Sequence, residues 1–370
     1  MNTVGLYIHV PFCVSKCPYC DFYSVALPSD AMLDAYAARV CDTLDVWAAR
    51  LPEVTADTLY FGGGTPSLLG GERLAAILRR ARARFGLSTA EITLEANPAD
   101  DLYDTLSAFA AEGGNRLSLG MQSICAAELT ALGRRHTPHD VARTVADAHR
   151  VGINNVSLDI MLGVPEQTTD SARHSAQQAA ALGATHVSAY MLKIEPNTPF
   201  GRCTPSLPDE DATADAYLAV MDTLDTLGYH QYEISNAALI GRESRHNLKY
   251  WHSEPYLGIG PAASSCIGDR RFSYARDIDA FMRGEEPTDE PCSAIAVGSP
   301  EEYALLRLRL SEGVTAADFA ARFGEPMPSV WFERARRLPK TLVCADGNGI
   351  RLTRDGFLVS NTLITHILTK

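Results

Sequence analysis

Tyr7-Ile8-His9-Val10-Pro11-Phe12-Cys13-Val14-Ser15-Lys16-Cys17-Pro18-Tyr19-Cys20-Asp21-Phe22 is the stretch that decides the fold. A short β-rich run, Leu6–Val10, leads into a loop with three cysteines at C-x3-C-x2-C spacing. Thiols crowded this closely are reactive unless something occupies them, so a metal site is the first reading. Three readings fit the residues. A four-iron cluster on Cys13, Cys17 and Cys20 leaves one iron free of protein sulfur, and chemistry can happen there. A structural zinc could take the same three thiolates and His9. A redox or buried thiol cluster needs no metal at all. Phe22 stands where one further thiolate would have extended the set.

Outward from this loop, β-rich runs alternate with helical stretches up to about residue 235. Strands are expected at Leu6–Val10, Thr58–Phe61, Glu91–Leu94, Arg116–Leu119, Val156–Met161 and His186–Met191, with a further one near Gln231–Ile234. Apolar residues recur between them at helical spacing, most clearly Met32, Leu33, Tyr36, Val40, Leu44 and Trp47. This alternation predicts an α/β fold with a parallel sheet: an incomplete (β/α)6 TIM-like barrel, or two halves of a doubly wound sheet. The unusual residues collect after the strands. They include the cysteine loop, Gly62-Gly63-Gly64-Thr65, Glu95, Gln122, Asp159, Tyr190 and Glu195. In a parallel barrel those ends form one rim, where ligands sit. The glycine run alone reads as a tight turn, since it lacks both the Lys of a P-loop and the spacing of a dinucleotide fold.

Beyond residue 235 the periodicity changes. Asn236–Arg283 reads as loops and short strands, and Asp289–Pro300 as a linker. Helices at Glu301–Leu310, Thr315–Phe323 and Pro328–Leu338, a hairpin over Thr341–Leu352 and a last helix at Asn361–Leu368 suggest a smaller winged-helix-like domain. The expected division is 1–235, 236–290 and 291–370. The formal charge of −12 excludes a non-specific nucleic-acid binder, so the last module is expected to be structural or protein-binding. Nine cysteines, an odd number, with Cys41, Cys125, Cys203, Cys266, Cys292 and Cys344 scattered, exclude a disulfide scaffold. No apolar run approaches 18 residues and the start lacks a signal-peptide pattern, so a cytoplasmic protein is expected, peripheral at a membrane only through a partner.

The motif Tyr7-x-His9-x-Pro11-Phe12-Cys13-x3-Cys17-x-Tyr19-Cys20 resembles the opening of the radical S-adenosylmethionine enzymes of the oxygen-independent coproporphyrinogen III oxidase group. The resemblance continues through Gly62–Ser67, Glu95–Pro98, Asn115–Ser123, Leu132–His136, Asp159 with Gly163-x-Pro165, and Tyr232–Asn236, and so covers essentially the whole chain. Within the group the chain is most similar to the haem-chaperone branch. The oxidases carry a cysteine two residues after the third cluster ligand, where Phe22 stands here, and a longer N-terminal extension. His246-Asn247-x2-Tyr250-Trp251 matches a motif associated with haem in the chaperones; without the resemblance His246 reads as a polar loop residue.

The resemblance implies a [4Fe–4S] cluster on Cys13, Cys17 and Cys20, with S-adenosylmethionine on the open iron. It implies that Gly63, Gly64 and Thr65 meet the amino end of that cofactor and that Arg134 pairs with its carboxylate. Gln122 and Asp159 hold the ribose, Glu95 fixes Arg134 or the ribose, and Tyr7 and Tyr19 line the site. His246 is the implied haem anchor, with Tyr250 and Trp251 as aromatic neighbours. The implied function is haem binding and transfer to an acceptor protein, respiratory or membrane-associated, with an electron donor if radical chemistry occurs. The alternatives are an oxidase yielding protoporphyrinogen IX by radical decarboxylation, and a zinc-dependent docking protein.

Overall fold

Strands form at Thr3–Val10, Thr55–Gly63, Glu91–Ala96, Arg116–Gln122, Asn155–Leu162 and His186–Met191, and each pairs in parallel with the next. The computed structural model describes residues 3–99, 101–291 and 295–369. Cys292 and part of the expected linker lie outside them. Each of the six strands is followed by helix, the main ones being Asp30–Arg50, Gly70–Phe85, Tyr103–Ala111, Pro138–Arg150, Thr169–Ala181 and Glu210–Thr226. Local chemistry sets where these begin. Ser29 Oγ accepts from the Met32 amide at 3.3 Å, and Thr137 with Asp140 makes a capping box ahead of Pro138. The stripe on the first helix buries Leu33, Tyr36, Val40, Leu44 and Trp47 as its spacing predicts, while Met32 is only partly covered.

The parallel sheet is an open barrel and not a doubly wound sheet: its six strands lie side by side in chain order, and short strands extend both edges. At one edge Tyr256–Ile259 pairs in parallel with the first strand, followed by antiparallel Ser264–Ile267, Arg270–Ser273 and Thr288–Asp289. At the other, Asn236–Ala238 runs antiparallel to the sixth strand and pairs with His230–Gln231. The strand expected near Gln231–Ile234 is therefore shorter and earlier, because Glu233 pairs instead with Leu310. Leu257, Ile259, Phe272 and Phe281 join the buried cluster of the barrel strands. Trp47 stacks on Phe272 at 5.3 Å and donates to the Tyr274 hydroxyl at 3.0 Å, tying the first helix to this edge.

The C-terminal region has a buried core of its own, built on Phe319, Trp331, Ile350, Ile364 and Ile367. Helices Pro300–Arg307, Ala316–Phe323 and Ser329–Arg337 pack with an antiparallel sheet of Val314–Thr315, Gly349–Leu352 and Val343–Ala345. Sequence reading anticipated the hairpin but neither the third strand nor the helix Arg354–Leu358. This module meets the barrel through backbone bonds, Ile234 to Arg309 and Ser311 to Tyr232, both 3.0 Å, and through Arg354, whose guanidinium reaches Asp222, Asp225 and Gln231. Among the described residues no helix is long and apolar enough to cross a membrane. Trp331, edge-on to Phe319 at 5.7 Å, fills the centre of the second core. Trp331→Ala should cost about 3–5 kcal/mol by urea denaturation. Iron loading of the remaining folded protein should be unchanged, since that core is separate from the cysteine loop.

Candidate functional site

The cysteine loop is held by backbone bonds on two sides. Phe12–Cys13 pairs with Val25–Ala26, the Leu27 amide donates to the Cys13 carbonyl at 3.0 Å, and the Cys20 amide to the Cys17 carbonyl at 3.1 Å. From the second strand end, the Gly64 amide donates to the Val10 carbonyl at 2.8 Å and the Thr65 amide to the Phe12 carbonyl at 2.7 Å. A Cβ on Gly64 would lie 2.5 Å from the Phe12 carbonyl oxygen, so only glycine permits this approach. Gly63 has φ +112 and rests on the His9 ring, and its amide donates to Glu95 at 3.2 Å. The glycine run thus serves strand-to-loop packing, and its amides are already engaged. The Thr65 hydroxyl donates to Cys13 Sγ at 3.7 Å.

Cys13, Cys17 and Cys20 line one cavity of about 380 Å³ with Gly63, Gly64, Thr65, Glu95, Gln122, Arg134, Asp159 and Tyr19. Tyr7 does not line it: its hydroxyl bonds to His9 Nδ1 at 3.0 Å, and it lies behind Gly62. The second nitrogen of His9 meets the Tyr23 carbonyl at 3.1 Å. His9 therefore has no free nitrogen for zinc, and among the described residues no three His, Cys, Asp or Glu side chains are gathered to hold a single ion. Phe22 is 65% exposed at the cavity mouth.

Sequence reading missed Tyr60, Arg116, Ser188 and Asn247, which also line the cavity. The available signal was the two-residue period of the strands: register pairs Glu95 with Ser118 and Asp159 with Ser188, which places them in layers inside the barrel. Arg116, a fully buried cation in a strand, marks the same interior.

The charges are distinct. Glu95 accepts from Tyr60 at 2.7 Å and from the Gly63 amide; it does not contact Arg134. Burial pushes its carboxyl up to about 7, and burial likewise lifts Asp159 to about 6, against the Ser188 and Ser118 hydroxyls and the Arg116 charge that pull it down. Arg134 donates to the Gly120 carbonyl at 2.8 Å and to Cys17 Sγ at 3.5 Å, and its buried Nε has no partner. Gln122 ends the fourth strand at a register shift with φ +64, a strained backbone that aims its side chain out of the ladder.

The motif His246–Trp251 lies on helix Arg245–Trp251, inside the barrel against the first two strands. Its first amides, at Arg245 and His246, donate to Glu91 at 3.2 and 3.0 Å. His246 is 1% exposed, with Nδ1 on Thr58 at 2.8 Å and Nε2 on Tyr250 at 2.8 Å, and it stacks on Tyr60 at 5.1 Å. Burial first, then Lys249 and Arg116, lowers its pKa to about 3, so the ring is neutral. It lines neither this cavity nor a second one, bordered by Tyr250 and Trp251. Ligation of iron by His246 would require breaking one of those two bonds.

Residues 7–179 match the Radical SAM superfamily, and residues 299–359 match the HemN C-terminal domain. The protein named heme chaperone HemW in Escherichia coli (strain K12) is 36% identical, the match covering 99% of this chain and 98% of that protein. Its namesake in Bacillus subtilis (strain 168) is 34% identical, covering 96% of each chain. Among solved structures, the coproporphyrinogen III oxidase HemN of Escherichia coli, a radical SAM enzyme, superposes with a TM-score of 0.84 over 100% of this chain and 90% of its own, at 20% identity. That likeness shows a shared fold: a partial TIM barrel with an appended C-terminal domain. With its cysteine loop, open barrel and C-terminal module in the same order, this chain belongs to the radical SAM superfamily and, within it, to the HemW family.

Proposed function

We propose that this protein is a haem chaperone that carries a [4Fe–4S] cluster and S-adenosylmethionine and hands haem to an acceptor protein. The observation that carries this reading is the single cavity bringing together three thiols, two buried carboxyls and Arg134 with an unpaired buried Nε. An orphaned donor of this kind costs about 1–3 kcal/mol unless a ligand meets it. The donor set fits the cofactors: three thiolates for a cluster with one open iron, a planar guanidinium for a carboxylate, and acceptors for ribose hydroxyls. The names of the full-length relatives support the chaperone part of the reading.

In this reading Cys13, Cys17 and Cys20 hold the cluster and Arg134 grips the methionine carboxylate of the cofactor. The Gly63–Thr65 carbonyls and hydroxyl meet its amino group, while Gln122, Asp159 and Glu95 take the ribose. Tyr19 walls the site, and Tyr7 acts from behind by fixing His9. When bound and reduced, the cluster and cofactor supply one-electron cleavage of a sulfonium. The chain itself orients the cofactor. Phe22 adds an apolar group, and no thiol, at the mouth.

Anaerobic reconstitution should load about four irons with matching acid-labile sulfide, and Cys17→Ser should lose most of both. Stoichiometric zinc without sulfide would overturn the cluster. Arg134→Ala should weaken S-adenosylmethionine binding about ten- to hundredfold while iron content stays, as expected for one lost charge-assisted bond of roughly 1.5–3 kcal/mol. The protein should bind haem, transfer it, and leave coproporphyrinogen III unconverted; robust formation of protoporphyrinogen IX would replace the chaperone reading with the oxidase. Glu95 gives a pH signature in the cofactor-free protein. Its folded pKa is raised to about 7 from an ordinary 4.5, so its contribution to stability is full below pH 4.5 and is lost as pH rises through 7. Glu95→Gln should reduce that loss in urea denaturation followed across this window, leaving the dependences of Asp159 and Glu233, which have the same sign.

A further inference from the structure

A second cavity of about 630 Å³ adjoins the first and shares Tyr190 and Asn247 with it. It lies at the seam between barrel and C-terminal module. One wall is the end of the sixth strand, another is the segment Glu233–Asn236, a third is the helix carrying Tyr250 and Trp251, and Arg309 and Phe357 come from the module. The cluster site uses none of these walls except the two shared residues.

Two buried polar side chains here each leave one oxygen without a partner. Glu233 is 1% exposed and its Oε1 has no hydrogen bond; Asn236 is 3% exposed and its Oδ1 has none. Burial raises the Glu233 carboxyl to about 8, against the amides of Ser235 and Asn236, so at neutral pH it is largely a neutral acid with a proton to donate. Burial also depresses Arg309, with Glu233 opposing that shift, and its half-buried guanidinium donates to Asn361 Oδ1 at 3.0 Å. Tyr190, Met191, Ile234, Trp251 and Phe357 supply flat or soft walls, and Lys193, Ser235 and Asn247 are further polar members of the lining. Broad apolar walls with a cation and an acid proton at one side suit an amphipathic, planar ligand that carries carboxylates.

We propose that haem sits in this second cavity, its macrocycle against Met191 and Trp251 and a propionate on Arg309 and Glu233. The proposal deepens the haem-chaperone reading and rests on it. It assigns His246 a different part. Held between Thr58 and Tyr250, His246 is a positioning residue that orients the Tyr250 side of the cavity, not the iron ligand.

The test is a hemin titration of the full-length, cluster-loaded protein under anaerobic conditions, read by absorption. Two variants are compared with the wild type: Arg309→Gln, and Met191→Arg at a position 41% exposed that tolerates a long side chain. Each should weaken haem binding at least tenfold, with iron and sulfide content and S-adenosylmethionine affinity unchanged. Wild-type haem affinity in both variants would overturn the proposal while leaving the chaperone reading intact. Strictly competitive displacement of the haem by S-adenosylmethionine in the wild type, growing without saturation as its concentration rises, would also overturn it, assigning the cavity to a second cofactor molecule. A wild type that binds no haem at all would instead sink the functional reading, and the placement with it.

Discussion

The contact between Gly64 and Phe12 is the constraint on which the site depends. Two strand ends that are neighbours in the sheet are joined past their last ladder bond by the Gly64 and Thr65 amides. No side chain larger than hydrogen fits between them. The clamp extends the rigidity of a buried parallel sheet into a loop that would otherwise be free to open. Tyr36 adds a third hold by donating to the His9 carbonyl at 2.5 Å. The sheet thereby fixes the backbone on which Cys13, Cys17 and Cys20 stand.

The interior of the barrel is kept polar at a cost that packing elsewhere offsets. Glu95, Asp159 and Arg116 share one low-dielectric chamber, and burial disfavours the charged form of each. Helix Arg245–Trp251 is fitted inside the same barrel: a Cβ on Gly5 would meet Lys249 at 2.8 Å, and Lys249 is neutralised by Asp57 at 2.8 Å and Glu254 at 2.9 Å. A buried cation so well paired is expensive to remove. The helix is therefore part of the architecture as much as of the site.

Much of this was legible in the residues. β-rich runs gave the six strands, and apolar residues at helical spacing gave the helices between them. The rim followed from where cysteines, glycines and carboxylates fell relative to strand ends. What was not legible depends on tertiary register. Tyr60, Ser188 and Arg116 look like ordinary strand residues until neighbouring strands place them in one layer. Tyr256–Ile259 is too short to reveal that it pairs in parallel with the first strand, across some 250 residues of sequence. His246 is a different case: a conspicuous motif implied a haem anchor, and the fold gives each of its ring nitrogens a hydrogen-bond partner. Glu233 falls within Tyr232–Asn236, where nothing local announces that an acid will lose its solvent.

Tyr190 and Asn247 have one consequence of a different kind. They border two chambers at once, so each forms part of the wall of both. Any molecule that fixes a rotamer of either residue from one side alters the shape offered on the other. Thermodynamic linkage then makes the influence mutual: the factor by which filling the first chamber changes affinity in the second equals the factor in the reverse direction. A wall shared in this way would couple the two chambers through side-chain rotamers alone.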